Sequence, residues 1–149
     1  MAVSSATIPC STKAGSVPRP AIVLLGRFLY VLIFLMAAPT HFSKQTITYA
    51  AAQGVPLASL AVPASGIIAL VGGLSILLGY RAKLGAWLIV LFLLPVTPMM
   101  HRFWTVHDLV IAQMQMVMFM KNVALLGGAL LITQFGSGPL SLDARVRTT

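Results

Sequence analysis

Four long apolar runs dominate the chain, at residues 20–42, 61–80, 84–100 and 110–135. A bilayer core about 30 Å thick needs roughly 20 helical residues to cross it, and all four runs meet that length. Inside lipid every backbone polar group has to be satisfied by the segment itself or by its neighbours, which leaves helices or a closed barrel. The alternation in Gln113-Met114-Gln115-Met116 has the period of a strand, but no series of further alternating segments accompanies it. The expected fold is therefore all-α: an integral membrane bundle of four helices. Residues 1–19 and 136–149 are expected to be tails on a single four-span domain.

Composition supports the same solvent. Only 8% of the 149 residues are charged, and the acids are Asp108 and Asp143 alone. Soluble domains carry about a quarter charged residues. The net charge of +8 does not gather into one patch for nucleic acid, so no nucleic-acid partner is expected. The basic residues flank the apolar runs instead, as topology signals do. Lys13, Arg19, Arg27, Arg81, Lys83, Arg145 and Arg147 fall on one side, against Lys44 and Arg102 on the other. That seven-to-two bias places both termini in the cytoplasm. The lone Cys10 excludes an intrachain disulfide and a CxxC redox pair.

Residues that break the apolar pattern are the candidates for chemistry. Arg27 lies about two turns into the first span. Its stem can carry the guanidinium to the nearby headgroups, or the guanidinium can contact an anion or a quinone carbonyl. Tyr30, Phe34 and Ala38 share its helical stripe, which points that stripe into the bundle, and His41 ends the span. Lys121 and Asn122 fall near the middle of the fourth span, where a long side chain reaches the surface least easily. No acid lies within any span to pair with Lys121. It is neutral, reaches an aqueous cavity, or meets a bound anion; otherwise its donors are taken up by carbonyls or Asn122.

A third group clusters on the outer side: His101, Arg102, Phe103 and Trp104, with His107 and Asp108. Histidines can transfer protons near neutral pH or hold a metal. No two of the three stand at i,i+4 on an expected helix, so no metal site is assigned. Trp104 reads as an interfacial anchor. Pro95 and Pro98 should release backbone carbonyls, which His101 or Arg102 would satisfy. Gln113 and Gln115 are placed to bond other helices or water. The stretch from Gln45 to Gly54 is expected to form a short helix in the longer outer loop. Gly72-Gly73 and Gly127-Gly128 permit close helix approach. Nucleotide, haem-attachment and serine-nucleophile motifs are absent from the sequence, and two aspartates on opposite sides exclude paired-carboxylate catalysis.

The ordered pieces Gly26-Arg27, Gly54-Val55-Pro56-Leu57, Leu70-Val71-Gly72-Gly73 and Leu78-Gly79-Tyr80-Arg81 resemble the DoxX family. His101-Arg102-Phe103-Trp104, Phe119-Met120-Lys121-Asn122, Leu126-Gly127-Gly128 and Leu140-Ser141-Leu142-Asp143 continue the pattern, so that it covers roughly residues 20–145. The resemblance implies a four-helix protein of the bacterial cytoplasmic membrane, with some relatives tied to thiosulfate oxidation and quinone or to membrane redox complexes. It implies an accessory subunit rather than a free-standing enzyme, with quinone as the candidate cofactor and no covalent cofactor. The bilayer, a redox enzyme and a second copy of the chain are the candidate partners. Relatives often carry a Glu just before the Gly-Gly pair, where this chain has Ala69, and a Lys where it has His41. Candidate ligand-binding residues are thus Arg27, Tyr30, His41, His101, Trp104, Lys121 and Asn122. A structural or assembly protein without a ligand, and a small-solute carrier, are the competing readings.

Overall fold

The structure is a computed structural model that describes residues 20–146. The described chain is helical, with no strand. Helix α1 spans Pro20–Ala37 and runs into a 3-10 turn, Ala38–Phe42. A short α2, Lys44–Ala52, follows. Then come α3, Ala58–Leu78, and α4, Ala82–Met100. A second 3-10 turn, Phe103–Thr105, leads into α5, Leu109–Phe135, and a terminal α6, Leu142–Val146. Helices α1 (with its 3-10 turn), α3, α4 (through the turn after it) and α5 are each long and apolar enough to cross a membrane. Pro20 opens α1, where its missing N–H costs nothing.

Helix α1 packs on α3, α3 on α4, and α4 on α5. The shared core consists of Val31 and Phe34, Ala69 and Ile76, Ala86, Ile89, Val90, Phe92 and Leu93, and Ala129. The α3–α4 hairpin is close because both helices present glycine: a Cβ on Gly72 would lie 2.9 Å from the Gly85 carbonyl oxygen, and one on Gly85 would lie 2.6 Å from Ser75 Cβ. Without a hydrophobic drive between helices in lipid, such small-residue contacts are what let van der Waals packing hold them together. Gly73 and Gly128 also face neighbouring helices, whereas Gly127 faces open space.

The segment after α5 folds back over the end of the bundle where α3 turns into α4. Arg27 Nη2 donates to the Leu140 carbonyl at 2.6 Å. Asp143 accepts from the backbone N–H groups of Arg81 (2.8 Å) and Ala82 (3.2 Å), and so caps α4 from 61 residues beyond its start. Gly79, at φ +66°, makes room: a Cβ there would strike Ser141 and the Arg27 guanidinium. Arg27 therefore does not extend to headgroups. It is only 5% exposed, covered by residues that arrive more than a hundred positions later in the chain.

At the opposite end, the loop after α1 forms the expected short helix, α2. Ser43 caps it by accepting from Thr46 N–H at 3.2 Å. Helix α4 continues through Pro95 and Pro98 to Met100. Neither His101 nor Arg102 serves the carbonyls that these prolines leave free. His101 Nδ1 lies 2.8 Å from Gln115 Oε1, and Arg102 Nη2 donates to the Gln53 carbonyl at 2.6 Å.

Candidate functional site

Between α2, the adjoining ends of α1, α3 and α4 and the middle of α5 lies a cavity of about 440 Å³. Its walls are largely apolar, with Ile33, Phe34, Phe92, Val96, Met99 and Leu125 among them. Four of the seven sequence candidates line it: His41, His101, Lys121 and Asn122. They come from the turn after α1, the end of α4 and the middle of α5, and their convergence follows from specific local features.

His41 is placed by Pro39 and Gly66. Pro39 falls in the first turn of the 3-10 segment, where α1 tightens. Gly66 on α3 then lets that turn come close, since a Cβ at position 66 would stand 2.7 Å from His41 Cβ. His41 Nδ1 lies 3.0 Å from the Ala37 carbonyl. A carbonyl can only accept, so Nδ1 is the donor. The ring stands edge to face with Phe92 at 5.8 Å. Phe92 in turn meets Phe34 at 6.3 Å, and Phe34 meets Tyr30 at 5.6 Å. His101 Nδ1 pairs with the side-chain amide of Gln115 at 2.8 Å.

Asn122 is 7% exposed, yet its amide makes no hydrogen bond with any described residue. Its amide lines the cavity, where it is open to whatever the cavity holds. Its neighbour Lys121 is exposed on the surface of the isolated chain while still lining the cavity, so it occupies the rim. The lysine Nζ meets Met118 Sδ at 3.7 Å, a weak partner. Neither Asp108 nor Asp143 lines the cavity; both are engaged as helix caps. The chamber thus offers an apolar body, a lysine at its rim, an amide without an intrachain partner and two imidazoles. That set suits a flat or extended apolar molecule bearing a carbonyl or anionic oxygen.

The other three candidates stand apart. Arg27 is at the opposite end under the folded-back segment. Tyr30 donates to the Leu125 carbonyl at 2.8 Å, and so ties α1 to α5 beside the cavity without lining it. Trp104 is 57% exposed and packs with Phe103 and Phe119 at 5.0 and 6.0 Å. Phe92 and Gly66 belong to the site and went unread in the sequence. The signal for Phe92 was its spacing with Val96 and Met99, but an all-apolar helix gives such a stripe no contrast.

The DoxX family model matches residues 22–108. The chain belongs to the DoxX family. A curated relative, inner membrane protein YphA of Escherichia coli (strain K12), is 30% identical over 132 residues, covering 85% of this chain and 91% of that protein. No solved structure matches significantly. The family match covers α1 through α4 and stops before α5, the helix that brings Lys121 and Asn122. The alignment with the E. coli relative is long enough that it necessarily spans positions 121 and 122 of this DoxX-family chain.

Proposed function

We propose that this DoxX-family protein is an accessory subunit of a quinone-linked redox system in the bacterial inner membrane, and that its cavity receives the quinone head. The observation that carries the reading is Asn122: a residue with little exposed surface whose amide has no intrachain partner and lines a largely apolar chamber beside a lysine. Asn122 donates to a quinone carbonyl from the wall, and Lys121 faces the head from the rim. His41 and His101, which both line the chamber, pass protons there while a partner enzyme supplies the electrons. The inner-membrane location draws on the E. coli relative's name. The basic-residue bias puts both termini in the cytoplasm and the cavity toward the outer face.

Photoaffinity labelling of the detergent-purified chain with a quinone analogue tests this directly. Wild type is labelled on cavity residues, and Asn122→Leu loses most of the label. Equal labelling of wild type, Lys121→Ala and Asn122→Leu would overturn the assignment.

A second reading has its own observation. Helix α5 is the least buried of the four spans, and it exposes Lys121 in mid-span. A partner helix over α5 would cover that cation, as in an assembly subunit. Crosslinking from position 120 to a second polypeptide would support it, and exclusive crosslinking to lipid would refute it.

A further inference from the structure

The second large concavity lies at the other end of the molecule and is independent of the quinone reading. It is an open groove of about 990 Å³ between the α3–α4 turn and the segment that folds back after α5. We propose that it is a phosphate site, suited to the headgroup of an anionic phospholipid.

Four observations point there. The groove is lined by two cations, Arg81 and Lys83, and by one acid, Asp143. Both oxygens of that acid are already taken by the N–H groups that open α4, so it is held in place as a cap. The Arg81 guanidinium is poised over the Tyr80 ring at 5.8 Å, and the Lys83 stem lies across the end of α5, within 3.6 Å of where a Cβ on Gly136 would be. That placement offsets the negative C-terminal end of α5, which would otherwise oppose an anion. Ser137 also lines the groove. It is 5% exposed and its hydroxyl has no hydrogen bond with a described residue, so a donor is free at the base of the site.

The level of the groove selects a lipid. Helices α3, α4 and α5 all start or finish here, so the groove sits where the apolar belt gives way to headgroups. Leu84 and Phe135, 57% and 81% exposed, continue its lining onto the lipid-facing surface and provide a shelf for acyl chains. A phosphate at Arg81, Lys83 and Ser137 with chains along Leu84 and Phe135 is an amphiphile in its normal orientation. Basic pockets between transmembrane helices are a recurrent way of holding such headgroups.

Native mass spectrometry of the full chain in mild detergent tests this, with phosphatidylglycerol and phosphatidylcholine titrated in parallel. Phosphatidylglycerol adducts should persist at lower lipid concentration. Arg81→Gln or Lys83→Gln should weaken them about fivefold each, and the double variant roughly thirtyfold. Lys83→Arg should retain binding, which separates charge from shape. Titration with inorganic phosphate distinguishes the source of the group. Displacement of the lipid by phosphate supports a site for the phosphate itself, and binding of the lipid alone supports a site for the whole headgroup. Equal adducts of the two lipids, or a double variant that binds as wild type while retaining its melting temperature, would overturn the proposal.

Discussion

Gly66→Ala is the sharpest probe of how the cavity is built. The new methyl would stand 2.7 Å from His41 Cβ, 3.2 Å from His41 Cγ and 3.3 Å from the Ala38 carbonyl oxygen. Carbon atoms in good contact are about 3.5–4.0 Å apart, so the first overlap is about 1 Å. His41 Cβ is tied to the backbone, and no flexible end is available to move aside. Either the 3-10 turn lifts off α3 or α3 shifts away from α1. Overpacking of this kind costs about 1–3 kcal/mol, which is roughly 3–10 °C in melting temperature for a chain of this size. The control is Gly127→Ala, where nothing lies within 4 Å of the added methyl and helix propensity favours alanine by about 1 kcal/mol. Thermal unfolding in one detergent, followed by fluorescence of a thiol-free variant, should separate the two by several degrees. Labelling by the quinone analogue should fall in Gly66→Ala because His41 has moved. If Gly66→Ala melts with Gly127→Ala and is labelled like wild type, the close approach of α3 to the His41 turn is not what shapes the site.

Three other expectations follow from named contacts. Tyr30→Phe removes the bond to the Leu125 carbonyl and should cost about 0.6–1 kcal/mol by chemical or thermal denaturation, with cavity labelling largely kept. Asp143→Ala uncaps α4 and should cost about 0.5–2 kcal/mol; limited proteolysis should then cut the chain after α5 sooner than in wild type. Lys121→Met should move two measurements in opposite directions. Membrane insertion of α5 improves, by up to about 2.5–3.5 kcal/mol on insertion scales for a mid-span cation, while ligand labelling declines. A merely structural lysine would lower stability and leave labelling proportional to folded protein.

The four helices were legible because lipid leaves a chain so little choice. A run of twenty apolar residues in a bilayer must satisfy its own backbone, and helix is the local solution. The short helix before α3 was legible in the stretch that Gly54 ends, while its cap, Ser43, is seen only in the structure. Rotation about each helix axis was much less so. In a soluble helix a polar face marks the outside, but here both faces are apolar and the contrast disappears. Arg27 shows the consequence. Reach alone sends its guanidinium to the surface, yet the chain itself covers it, using a carbonyl that lies 113 residues further on. No window around position 27 contains that information.

Lys121 and Asn122 carry the same lesson into the candidate site. As a pair they stand out because lipid penalises both, and the lysine draws attention first because its penalty is larger. Successive helical residues are about 100° apart, so the two cannot face the same way. The structure puts the lysine on the rim and the amide inside. The rim position lets the cation find solvent, headgroups or a partner helix without any ligand. The interior position turns the amide to the cavity, and no described side chain satisfies it. The hydrogen bonds of the neutral residue therefore depend on what the cavity holds. That inverts the order in which the sequence ranks the two, and it makes Asn122→Leu a more decisive substitution than any change at Lys121.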